Sequence, residues 1–225
     1  MQQLKMKPNK HKGILITFCG LDGCGKTTMI KRLQAEFENN DVFLTKQPTD
    51  FVRNTDIFRT YQDEPIHDEY DYRSLSLLAA SDRVQHTNRI IVPELDKGKI
   101  VISDRFIYSC LANLRARGYK KDNWIYEISE SLIKPDIAFF FDVPVKTAVS
   151  RVRNRPEEKD RYIDMNLQYK LRNEYKRICK VNEGVLIPTT ISEDETYSIV
   201  RDCVKQVLSK RKTTINFKET TNEHF

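Results

Sequence analysis

Gly20-Leu21-Asp22-Gly23-Cys24-Gly25-Lys26-Thr27 fits the pattern G-x-x-x-x-G-K-[ST]. The residues around it supply the setting that the pattern needs. Ile14-Leu15-Ile16-Thr17-Phe18 is an apolar run suited to a buried strand, and Thr28 to Phe37 has helical periodicity. A glycine-rich turn between strand and helix can aim several backbone N–H groups at one point, and the helix adds its positive dipole end. Gly20 through Thr28 therefore form a candidate cradle for the phosphates of a nucleoside triphosphate. Lys26, read as an exposed loop lysine, reaches the outer phosphates, and the Thr27 hydroxyl is a candidate ligand for magnesium.

Working outward, the sequence alternates strands with helices. Strands are expected at about 13–19, 42–45, 99–103, 137–141 and 185–187. Helices are expected at about 50–59, 71–96, 106–117, 122–133, from Pro144, 162–182 and 193–210. In the longest, Leu77, Ala80, Val84, Thr87, Ile91 and Leu95 fall at spacings of three and four and predict one buried stripe. Ala79, Arg83 and His86 lie on a neighbouring face, and Pro93 predicts a kink. Gln62 to Glu69 reads as an acidic loop. This alternation implies an α/β fold with a parallel five-stranded sheet, helices on both faces and an arginine-rich lid. Ligands of such sheets bind beyond the carboxyl ends of the strands. Gly20–Thr27, Lys46–Thr49, Asp104-Arg105 and Asp142 are thus expected along one edge.

The 225 residues suit one domain, assigned to 13–210 with its lid at about 151–161. Residues 1–12 read as a disordered basic tail and 211–225 as a flexible one. No run of about 18 apolar residues is present, so no membrane partner is expected. The five cysteines show no zinc-like spacing, which points to reduced thiols in the cytoplasm. Net charge is +6, yet Lys5, Lys7, Lys10 and Lys12 stand together without an acidic neighbour, and setting them aside leaves +2. Nucleic acid is therefore not the expected partner. An N-K-x-D base-reading motif is absent, which argues against a GTPase. The arginines at 151–161 suit a kinase whose lid excludes water.

At this point the chain resembles the thymidylate kinase family over about residues 13–208. The resemblance is carried by Phe18 to Thr28, Ser81-Asp82-Arg83, Pro93-Glu94-Leu95 with Gly98, and Ser103-Asp104-Arg105-Phe106. Ser109 to Ala112 and Asp160-Arg161-Tyr162 extend it. It implies P-loop NTPase architecture, ATP and Mg2+ as co-substrate and cofactor, a homodimer, and transfer of the ATP γ-phosphoryl to dTMP. Asp22 resembles the loop carboxylate near the acceptor sugar and phosphate. Arg105 is similar to the arginine that holds the acceptor monophosphate, with Asp104 near the magnesium shell. Arg83 looks like the base-reading arginine; Arg59, Lys46 and Ser109 look like further acceptor-site residues.

Departures from the family gather at the acceptor base. Ala79 stands where a stacking phenylalanine is usual, and Ala112-Asn113-Leu114 replaces Ala-Tyr-Gln. Phe51, Phe58 and Tyr108 are aromatics that could stack in its place. Gly23 occupies a position where some relatives carry an arginine, so Arg151, Arg153 and Arg155 of the lid become the catalytic candidates. Two rivals stay open: a kinase of another nucleotide or nucleoside-like acceptor, and a non-catalytic ATP-binding regulator.

Overall fold

A computed structural model describes residues 1–63 and 70–218. Its centre is β1 (Ile14–Gly20), seven consecutive buried residues. Burial on both faces explains why this strand is a continuous apolar run rather than an alternating one. β1 is flanked by β3 (Ile100–Asp104) and β4 (Ile137–Asp142), with β2 (Val42–Lys46) and β5 (Val185–Pro188) outermost. All four pairings are parallel, in the order β2-β3-β1-β4-β5. Their registers place Phe18 beside Asp104, Gly20 beside Phe141, and Lys46 beside Asp104. The strands thus end together, at the edge expected from the sequence.

Helices α1 (Lys26–Ala35), α2 (Asp50–Arg53), α3 (Asp56–Asp63), α4 (Tyr72–His86) and α5 (Val92–Asp96) precede β3. They are followed by α6 (Ile107–Ala116), α7 (Trp124–Ser129), α8 (Val145–Arg153), α9 (Met165–Val181) and α10 (Glu193–Arg211). Phe18 packs on Phe139 and Phe141 at 5.2 and 5.6 Å between ring centroids, and Tyr108 meets Phe140 edge-on at 5.2 Å. These rings fill the layer between sheet and helices.

The long helix differs from expectation in phase. Between α4 and α5 runs a π-helical stretch, Thr87–Ile91, in which Val92 N–H donates to the Thr87 carbonyl. One extra residue in that turn shifts the helical phase just ahead of Pro93. Ala80, Thr87, Ile91 and Leu95 are buried as predicted, but Leu77 is 46% exposed and Leu75 takes the buried place.

Both ends are more ordered than the sequence suggests. Residues 1–12 lie against the domain rather than free: Leu4 is only 6% exposed. Lys5 N–H donates to Ser129 Oγ at 2.8 Å, Lys7 N–H donates to the Leu132 carbonyl at 2.9 Å, and Lys5 Nζ pairs with Glu127. Arg211 donates to the Asn9 and His11 carbonyls. At the other end Phe217 packs on Phe37 at 4.7 Å. The remainder of the second tail, 219–225, and most of the acidic loop, 64–69, lie outside the described residues.

If Leu4 anchors the first residues, Leu4→Ala will lower unfolding free energy by about 2–3 kcal/mol, as for other buried leucines. Urea denaturation of the two proteins measures it.

Candidate active site

The loop after β1 owes its shape to glycine. Gly23 has φ +75°, and a Cβ placed on it would lie 2.2 Å from the Ala148 carbonyl oxygen of α8. No side chain fits there, so the arginine that some loops carry is excluded by packing as well as by sequence. Gly25 caps α1 in a left-handed conformation without any side-chain bond. The first N–H groups of α1 are consequently free of a side-chain cap, which suits an anion. Lys26 is not exposed: it is 6% accessible, and its ammonium donates to the Gly20 and Leu21 carbonyls at 3.3 and 2.8 Å.

β3 ends at Asp104, and Arg105 just beyond it takes a left-handed φ of 70°. Outside glycine that conformation is uncommon and costs energy, and it clusters at functional sites. Surrounding bonds hold it: Arg105 N–H donates to the Phe18 carbonyl at 2.8 Å, and Ser103 Oγ donates to the Arg105 carbonyl at 2.7 Å. The guanidinium turns back to the loop. Nη2 meets Asp22 Oδ1 at 2.5 Å, and Nη1 donates to the Gly20 carbonyl and to Tyr175 Oη at 3.1 and 3.2 Å. Arg161 Nη2 meets the second Asp22 oxygen at 3.3 Å. Burial works to raise the Asp22 carboxyl, but Arg105, Lys26 and Arg161 outweigh it and hold it well below the usual carboxylate range. Asp22 is thus ionised at neutral pH. For Arg105, burial favours the neutral form and Asp22 opposes it, with a net rise.

Two clefts meet here. The first is lined by Asp22, Gly23 and residues 25–28 of the loop together with Asp104, Arg151, Arg155 and Thr189. Ala79, Arg83, Ser109, Asn113, Tyr72 and Arg161 are among those lining the second. Asp22, Arg53 and Arg105 face both. Arg83 is 3% exposed; its Nη1 donates to the Ala79 carbonyl at 2.7 Å, while its buried Nε has no hydrogen-bond partner among the described residues. A buried guanidinium with a spare donor suits recognition of a polar ligand edge. Asp104 Oδ1 is likewise buried without a hydrogen-bond partner among the described residues. With Thr27 in the same cleft, the two oxygens fit magnesium, which usually takes one or two protein ligands and fills its shell with phosphate and water.

Several expected residues stand elsewhere. Lys46 pairs with Asp50 at 2.8 Å on the surface and lines neither cleft, and Arg59 is exposed on α3. Arg53 takes the place expected of Arg59: its Nε donates to the Pro48 carbonyl at 2.8 Å. Leu114 is fully buried in the core, and its neighbour Asn113 faces the second cleft instead. Arg153 is exposed and bonds the Lys159 carbonyl. Arg151 and Arg155 do reach the first cleft, where Arg151 donates to the Thr189 carbonyl at 3.3 Å. Of the expected stacking aromatics only Phe58 lines the second cleft; Phe51 is 75% exposed and Tyr108 is core. Tyr61 and Tyr72 were not anticipated there. They meet edge to face at 5.0 Å, and Arg117 lies over Tyr72 at 4.1 Å.

Comparison with known proteins agrees with this geometry. A family model described as thymidylate kinase matches residues 18–202. The chain belongs to the thymidylate kinase family. A probable thymidylate kinase of Pyrococcus horikoshii is 36% identical over 190 residues, 82% of this chain and 91% of that one. The thymidylate kinase of Ureaplasma parvum is 30% identical over 220 residues, covering 92% and 95%. Among solved structures, the thymidylate kinase of Ehrlichia chaffeensis aligns at TM-score 0.66 and 28% identity, covering 86% of this chain and 98% of that one. The Candida albicans enzyme, at TM-score 0.71 and 20% identity over 94% and 100%, shares the fold. As a thymidylate kinase family member the chain is an ATP-dependent phosphotransferase acting on dTMP. Among the described residues no helix is long and apolar enough to cross a membrane.

The placement of the lid arginines separates them. Arg151→Ala or Arg155→Ala will lower kcat by on the order of 10²-fold or more, since arginines on a migrating phosphoryl contribute about 10³–10⁵. Arg153→Ala will leave kcat within a few-fold, because Arg153 does not line the first cleft and bonds the Lys159 carbonyl instead. Steady-state ADP release at saturating ATP and dTMP decides.

Proposed function

We propose that ATP binds in the first cleft and dTMP in the second, with phosphates meeting at Asp22, Arg53 and Arg105. The observation that carries this reading is the meeting of the clefts at one carboxylate and two arginines. Arg105 and Arg53 take the acceptor monophosphate; Arg83 takes the base. Asp22 lies beside the acceptor and keeps Arg105 aimed. Lys26, the α1 N–H groups, Arg151 and Arg155 take the donor phosphates. Magnesium, held by Thr27 and Asp104, neutralises phosphate charge when bound. Transfer is in line, without a covalent intermediate on the protein, so catalysis rests on positioning and charge.

A homodimer is also proposed. Leu77 and Ile90, 46% and 42% exposed on the same long helix, supply apolar surface for a helix seam. A reducing cytoplasm suits the five unpaired thiols.

A coupled assay of ADP release with dTMP, dUMP, dCMP, dAMP and dGMP tests the assignment. Turnover is expected to be highest with dTMP and to need both ATP and Mg2+. Equal ADP release with and without any acceptor would sink it in favour of a non-transferring ATP-binding protein.

The Ala79 position makes a sharper prediction. A base stacked on an aromatic contributes about 1–3 kcal/mol, and Ala79, which lines the second cleft, offers no ring. Ala79→Phe will raise kcat/KM for dTMP on the order of ten-fold, within that range. Steady-state kinetics of the two proteins at varied dTMP checks it.

A further inference from the structure

We propose that Tyr175 is a positioning residue that fixes the aim of Arg105 at the acceptor phosphate. The proposal rests on the assignment of the acceptor monophosphate to Arg105. Three of the acceptors that receive from the Arg105 guanidinium are Gly20 O, Asp22 Oδ1 and Tyr175 Oη. The first two belong to the phosphate loop itself. Asp22 is not held by Arg105 alone: its second oxygen is shared with Arg161. Tyr175 comes from α9, outside loop and lid, and is 4% exposed.

A guanidinium can only donate, so Tyr175 Oη is the acceptor in its bond with Arg105. Tyr175 Oη donates its single proton to Ser109 Oγ at 3.1 Å. Its lone pairs are left to accept, and Arg105 Nη1 donates to them at 3.2 Å. Burial pushes the phenol up to about 12, so the proton stays on the oxygen at neutral pH. Ser109, which lines the second cleft, is thereby also linked to Arg105 through Tyr175.

The helix that carries this hydroxyl is pinned on both sides of it. Arg172 bonds both Asp142 oxygens at the end of β4, at 2.6 and 3.0 Å, and Lys176 reaches the same carboxylate at 2.9 Å. Glu174 ties α9 to Arg115 of α6 at 2.8 Å, with both side chains nearly buried. Residues 172, 174 and 176 thus hold the backbone around Tyr175 against two different elements. A guanidinium aligned in advance loses less rotamer freedom when an anion arrives, which is how preorganisation gains affinity and rate. The same volume filled by phenylalanine would pack equally well and leave Arg105 Nη1 without its outer guide.

Calorimetric binding of dTMP and of thymidine, which lacks the phosphate, tests this on the full chain. Tyr175→Phe is expected to weaken dTMP on the order of ten-fold, the scale for a hydrogen bond to a charged group. Thymidine affinity and the melting temperature should stay near wild type. Ser109→Ala should weaken dTMP less, and add nothing once Tyr175 is phenylalanine. Unchanged dTMP binding in Tyr175→Phe, or equal loss of dTMP and thymidine, overturns the proposal. Arg105→Ala serves as the reference. If it loses the preference for dTMP over thymidine while Tyr175→Phe keeps it, Tyr175 alone is misassigned. If it keeps that preference, the acceptor assignment of Arg105 is itself wrong.

Discussion

Parallel pairing of β1 with both β3 and β4 is the constraint on which the site depends. Because the three strands run the same way and end in register, Gly20, Asp104 and Asp142 arrive at one edge without any long-range instruction. Each is followed at once by a segment with a distinct task. Gly20 opens the phosphate loop, Asp104 leads into the left-handed Arg105, and Asp142 clamps α9 through Arg172 and Lys176. A one-residue slip of β3 against β1 would send Arg105 to the opposite face of the sheet. Full burial of β1 makes that slip costly, since it would disturb the packing of Phe18 among Phe139 and Phe141.

Much of this was legible because it depends on local pattern. The loop, the alternation of strands and helices, and the strand-end pair Asp104-Arg105 are all written in short stretches. What escaped needed tertiary information. α6 is buried on nearly every side, so no polar stripe revealed that Asn113 rather than Leu114 faces the cleft. Arg53 and Arg59 sit on two short helices divided near Asn54, and periodicity does not carry phase across such a break. Leu4 is a lone apolar residue among polar ones, a composition that ordinarily stays unfolded. It docks because Ser129, Leu132 and Asn182 supply partners for the backbone around it. Leu77 was misplaced because a π-helical turn carries no obvious sequence mark.

The lid joins the loop by packing as well as by charge. Ala148 and Val152 of α8 close over Gly23, and Glu158 bonds both Arg155 and Arg161, one from each cleft. Gly23 therefore has two reasons to lack a side chain: its left-handed backbone and the carbonyl above it. The first cleft is lined instead by the positive charges of Arg151 and Arg155, which stand on and just beyond α8.

The wall shared by the two clefts has a thermodynamic consequence. Asp22, Arg53 and Arg105 face both cavities, so an anion on one side alters the potential felt on the other. Whatever factor ATP imposes on the affinity for dTMP, dTMP must impose on the affinity for ATP, because the coupling free energy belongs to the pair. Two phosphate groups arriving at one pair of arginines repel each other and compete for the same donors. Asp22 adds to the mutual antagonism, while Arg161, bonded to its second oxygen, opposes it. The sign of the coupling is thus a balance struck at three side chains, and a ligand spanning both cavities would bypass the second association step altogether.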